Sequence, residues 1–163
     1  MKKKNSNIGL TVIELLVVLS MLAVLLSFSS VFLLGVQRKG LLTNTINRLV
    51  IDIREQQLKA MVGDTGGTGF ASGSGIYFSP TSYVLYPGTA YDPLSSSNYT
   101  TNLEGGLEFN PINFPGSQLH FTSNTGTVSG YIDNSDTIVL KNSNDTDQKT
   151  VKINRLGVVI SIN

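Results

Sequence analysis

The chain has 163 residues, 12 basic and 11 acidic, a formal net charge of +1, and no cysteine. Disulfides and thiolate metal centres are therefore excluded, and a folded domain of this composition rests on its apolar core or on a bound ion. The charge is uneven: no Lys or Arg lies from Ala60 to Leu140, where six acids do (Asp64, Asp92, Glu104, Glu108, Asp133 and Asp136), which argues against a broad nucleic-acid surface.

The chain opens on a basic leader, Met1-Lys2-Lys3-Lys4, followed after Gly9 by an apolar run. From Leu15 to Gln37 there are 23 residues without a charged side chain and without proline. As a helix rising about 1.5 Å per residue, that run is long enough for a ~30 Å hydrocarbon core. Glu14 stands at its entrance. A carboxylate there costs roughly 2.5–3.5 kcal/mol at a bilayer centre, less nearer the edge, so it needs a partner. An ordinary secretory signal fits less well, because the run exceeds the usual h-region and no A-x-A triplet follows. A plain membrane anchor has the same apolar pattern. In either case the lysines imply a cytoplasmic N-terminus and an extracytoplasmic C-terminal part.

Gly9-Leu10-Thr11-Val12-Ile13-Glu14, after a Lys-rich leader and before a long apolar run, resembles the class III signal of type IV pilins and pseudopilins. The resemblance implies that a prepilin peptidase cuts after Gly9 and methylates the new N-terminus at Leu10, where Phe is commoner in the family. It implies other pilin or pseudopilin subunits as partners, a cytoplasmic-membrane assembly platform, and membrane lipid before assembly. The expected placement is single-pass in the cytoplasmic (inner) membrane, then in a pilus or pseudopilus. Glu14 matches the family's carboxylate. It lies about 6 Å along the helix from Leu10, so two staggered helices would set it beside a neighbour's Leu10 ammonium and fix register. Thr11 and Glu14 are thus the expected assembly residues.

Beyond Gly40, Leu42, Ile46, Leu49, Ile53 and Ala60 recur on one face, the signature of an amphipathic helix with a single apolar stripe. Glu55 and Lys59 form a favourable i,i+4 pair. Gly63 suits a left-handed cap, ending the helix near Val62. The expected division is a leader over residues 1–9, a long helix over 10–62 that spans a membrane over about 14–36, and an extracytoplasmic β-rich head over 63–163. About a hundred residues then remain for the head, enough for one small core.

The Gly-rich stretch from Gly63 to Gly69 lacks the Lys-Ser/Thr and helix of a phosphate loop. Ile76–Ser79 and Tyr83–Tyr86 flank Pro80-Thr81-Ser82 as a hairpin. Residues 88–105 read as a long irregular segment, a solvated loop or a binding loop. Strands are then expected at Gln118–Thr122, Thr127–Tyr131, Thr137–Leu140, Thr150–Ile153 and Val158–Ile162. The closing pieces, Leu119-His120-Phe121, Gly126-Thr127-Val128, Ile138-Val139-Leu140 and the run from Val151 to Val159, resemble the C-terminal domain of FimT/GspH-type minor pilins and pseudopilins. The fold class expected is α+β: a long N-terminal helix, half membrane-spanning and half amphipathic, packed on an antiparallel head of two sheets.

No catalytic set emerges. His120 is the single histidine, and in its strand it points to solvent or a polar pocket. The function expected is therefore a structural filament subunit of a type IV pilus, type II secretion or competence system, and not an enzyme. No cofactor is expected. Calcium on the hard oxygens of Asn142, Asn144, Asp145 and Asp147 is the weaker possibility, because the EF-hand glycine and closing glutamate are missing. Two different functions compete with the filament subunit. One is a membrane-anchored binding protein that never polymerises. The second is a DNA-binding minor pilin, whose phosphate contacts would come from Lys149, Lys152 and Arg155, a patch small enough to give only salt-sensitive binding.

Overall fold

A computed structural model describes residues 11–64, 73–143 and 146–163, with only the backbone given for residues 28–36 and 38. The processing site, Gly9 and Leu10, lies outside the described residues. The chain forms two compact units, Met1–Arg38 and Lys39–Asn163.

The helix α1 is assigned over Val12–Val62, and its residues are shared between the two units. In the first unit, residues 12–27 are exposed on every face and are almost all apolar. These 16 residues rise roughly 24 Å, short of a ~30 Å hydrocarbon core. Among the described residues no helix is long and apolar enough to cross a membrane. That corrects the expected fold, a long helix with a membrane-spanning half over about 14–36. It equally corrects the expected single-pass placement in the inner membrane with an extracytoplasmic head.

In the second unit the apolar stripe of α1 is buried as its spacing implies. Leu42, Ile46, Leu49, Ile53 and Ala60 all enter one core. The helix ends where Gly63 takes a φ of 69°, with the Asp64 N–H bonded to the Lys59 carbonyl at 2.9 Å and the Gly63 N–H to the Ala60 carbonyl at 3.2 Å. This i to i−5 bond is the Schellman closure, which needs a left-handed residue at that position.

Two four-stranded antiparallel sheets complete the unit. The first contains β1 (Ser74–Ser79), β2 (Ser82–Pro87), β3 (Tyr99–Asn102) and β5 (Gln118–Phe121), in the order β3-β2-β1-β5. The second contains β4 (Leu107–Ile112), β6 (Thr137–Asn142), β7 (Gln148–Ile153) and β8 (Val159–Ile162), in the order β4-β6-β7-β8. The β1–β2 hairpin turns at Pro80-Thr81, as expected. Its register sets Ile76 opposite Leu85 and Phe78 opposite Tyr83, and β5 adds Leu119 beside Ile76. Because side chains alternate across a strand, these residues share the core face. From the second sheet, Phe109, Ile138, Leu140, Val151 and Ile153 enter the same core.

Three differences from the sequence expectations have local causes. Thr127–Tyr131 is not a strand; only Val128 makes a bridge, to Phe121. Gly126 and Gly130 both adopt positive φ, and the backbone between them divides its bonds, Val128 to Arg155 and Ser129 to His120. The segment 88–105 is not wholly irregular, since it ends in β3, a polar edge strand built from Tyr and Thr, which suit a pleated surface. β4 was hidden by Pro111, which cannot donate to a ladder; the register shifts there, and the strand lies at a sheet edge, where proline is tolerated.

Candidate functional site

The first turn of α1 is closed by its own sequence. The Glu14 carboxylate accepts from the Thr11 N–H at 2.9 Å and from the Thr11 hydroxyl at 2.8 Å. The Thr11 hydroxyl in turn accepts from the Glu14 N–H at 3.3 Å. Thr11 is the N-cap and Glu14 the third helical residue, so Thr-x-x-Glu is a capping box that satisfies helix-end donors reciprocally. The backbone bond from Thr11, then its hydroxyl bond, hold the Glu14 carboxyl below its ordinary value. Sequence reasoning sought a partner for Glu14 in a neighbouring subunit. The local partner was legible in the same four residues.

The candidate phosphate contacts do not form one surface. Lys149 and Lys152 are three apart in β7, whose register against β6 is unbroken, so they fall on opposite faces of the sheet. The Lys152 ammonium lies 3.4 Å from the buried Asp136 carboxylate, and Lys141 lies 3.2 Å from Glu108. Arg155 sits in the exposed turn before β8.

The proposed calcium ligands are dispersed as well. Asn142 is buried at the end of β6, opposite Leu107. The Asp147 carboxylate lies 3.9 Å from the Lys39 ammonium. Asn144 and Asp145 lie outside the described residues. Among the described residues no group of three or more His, Cys, Asp or Glu is placed to hold a metal ion.

His120 lines a polar pocket of about 210 Å³ with Gln118, Ser129 and Tyr131. Burial lowers its pKa. Its ring lies nearly parallel to that of Tyr86, with centroids 6.3 Å apart and planes 11° apart. Nearby, Tyr91 stacks on Tyr77 at 4.2 Å, which ties the segment after β2 to the outer face of the first sheet. The buried Nδ1 of His120 has no hydrogen-bond partner among the described residues.

A larger cleft, of about 430 Å³, opens between α1 and the β2–β3 edge. Its lining comes from residues 52–64, Ser74, 85–87, and 97 and 99. No single stretch of sequence announces it, because its walls lie tens of residues apart.

No family model, no curated protein and no solved structure matches this chain.

Proposed function

We propose that the chain is a prepilin-like structural subunit, a minor pilin or pseudopilin, and not an enzyme. It would assemble through its N-terminal helix into a type IV pilus, type II secretion or competence filament. The observation that carries this reading is the state of residues 12–27, which are almost all apolar and exposed on all sides of a helix. A helix apolar all round is stable only when covered all round. Like helices from other copies supply such a cover, and a bundle of them is the core of a filament.

The signal-like run from Gly9 to Glu14 supports the same reading. A prepilin peptidase would cut after Gly9 and methylate Leu10. Other pilin or pseudopilin subunits and an assembly platform would be the remaining partners. The capping box gives Glu14 a fixed position at the helix entrance, where its carboxylate can also meet the Leu10 ammonium of a neighbour and set register. DNA binding is less favoured, since Lys152 is held by Asp136 and Lys149 lies on the other face of the sheet.

Intact mass after co-expression with a prepilin peptidase tests the proposal. The expected product begins at Leu10 and carries one extra methyl group. Glu14→Ala should be processed in the same way yet fail to enter filaments. A product that retains residues 1–9 would refute the reading.

A further inference from the structure

His120 is the single histidine of the chain, and its ring is closed in on several sides. Leu119 and Phe121 point into the core, so His120 between them lies on the outer face of the first sheet, opposite Gly75 in register. The Tyr86 ring stacks on it, with centroids 6.3 Å apart. A side chain on Gly73 would fall 3.1 Å from Cε1 and 3.2 Å from Nε2, so backbone closes on that edge of the ring. The other walls of its pocket come from Thr89, Phe114, Pro115 and the segment 128–131. That segment is held lightly. Val128 makes a single bridge, to Phe121, and the Ser129 N–H donates to the His120 carbonyl at 2.9 Å.

The buried, unpartnered Nδ1 makes this ring sensitive to protons. A neutral imidazole tolerates the arrangement, because one of its nitrogens carries no hydrogen. An imidazolium does not. Both nitrogens become donors, and a buried N–H without an acceptor bears its full desolvation cost. No charged side chain lines the pocket to receive it. The titratable groups facing the ring are tyrosines: Tyr86 from β2, with Tyr91 tilted against it and stacked on Tyr77 of β1, and Tyr131 from the segment. Behind Tyr131, the Asp136 carboxylate accepts from its hydroxyl at 3.0 Å and is held by Lys152 at 3.4 Å. The Asp133 charge acts on the same hydroxyl. Burial accordingly holds the His120 pKa below its ordinary value.

We propose that His120 is an acid-triggered latch: protonation of its ring releases the segment 128–131 from β5 and opens the pocket. β1 and β2 are tied into the sheet by their ladders, so the lightly bonded segment is the wall that gives way. Once it moves, the Nδ1–H reaches water. The open state binds the proton more readily than the closed one. The closed state is therefore fully favoured above the ordinary histidine value of 6.5 and loses that advantage as pH falls through the folded value. From an ordinary value of 6.5, opening at pH 5.5 should rise by up to about tenfold. The latch does not depend on the filament reading.

Amide hydrogen exchange of the full chain in a neutral detergent, read by NMR at about pH 7.5 and about pH 5.5, is the test. Protection factors remove the intrinsic pH dependence of exchange. The Ser129 amide should lose up to about tenfold in protection at the lower pH, while Leu140, in the middle of β6, keeps its own. His120→Gln stays polar without titrating and should show no such loss at Ser129. No loss in wild type, an equal loss in both proteins, or a loss shared with Leu140 would overturn the proposal. The wild-type ring gives a second reading that needs no variant. Its nitrogen shifts belong to the one histidine and should report titration below the ordinary 6.5. Titration at or above that value would overturn the latch as well.

Discussion

Thr11 and Glu14 are three residues apart, the spacing at which a side-chain oxygen and a carboxylate can exchange bonds across the first helical turn. The box depends on the ionised carboxylate. Its pKa is depressed in the fold, so its support of the helix start is present above the ordinary glutamate value and is lost as pH falls through the folded value. Carbon-detected NMR titration should find Glu14 below the usual glutamate range. In Thr11→Val the hydroxyl bond goes and the backbone N–H stays, so the pKa should rise part of the way back. An identical titration in both proteins would mean that the box does not form. The residue scale also shows what sequence cannot reach. Asp136 and Lys152 are sixteen positions apart, and only the β6–β7 register, which sets Thr137 against Lys152, brings that carboxylate to that ammonium.

At the scale of elements, α1 is the best-read part of the chain, because its period repeats within a few residues. Ile53 is fully buried in the stripe, while Ile51, two positions earlier, is largely exposed. Ile53→Ala should therefore cost about 2–5 kcal/mol, and Ile51→Ala should stay within about 0.5 kcal/mol. Urea midpoints for the two variants check this, and equal losses would contradict the placement of the stripe. The helix is fastened to the head by contacts that its period does not reveal. The Gln57 amide donates to the carbonyls of Gly126 at 3.0 Å and Leu156 at 2.7 Å. Gly157, with φ at 80°, lets that amide approach, since a Cβ there would fall 2.6 Å from the Gln57 nitrogen. Two edge strands, β3 and β4, were the least legible elements. β3 lacks apolar alternation, and β4 carries a proline that a central strand would not accept.

Across the whole molecule, every buried apolar residue among those described lies in the unit Lys39–Asn163. A chain of residues 39–163 should therefore unfold cooperatively, at a urea midpoint close to that of the full chain. A large drop would show that residues before Lys39 contribute to the core. The sequence by itself determined the absence of disulfides, the apolar stripe and its glycine cap, and the tight β1–β2 turn. Each of these is encoded within a few neighbouring residues, by side-chain period, backbone handedness or the lack of a thiol. Tertiary structure alone decided that β5 returns to β1 and that β4 joins β6, and it corrected the membrane-spanning half of the helix. It also brought Asp52 and Gln56 to one cleft with Tyr99. These outcomes depend on which buried faces meet across tens of residues, and no local pattern in the chain specifies that meeting.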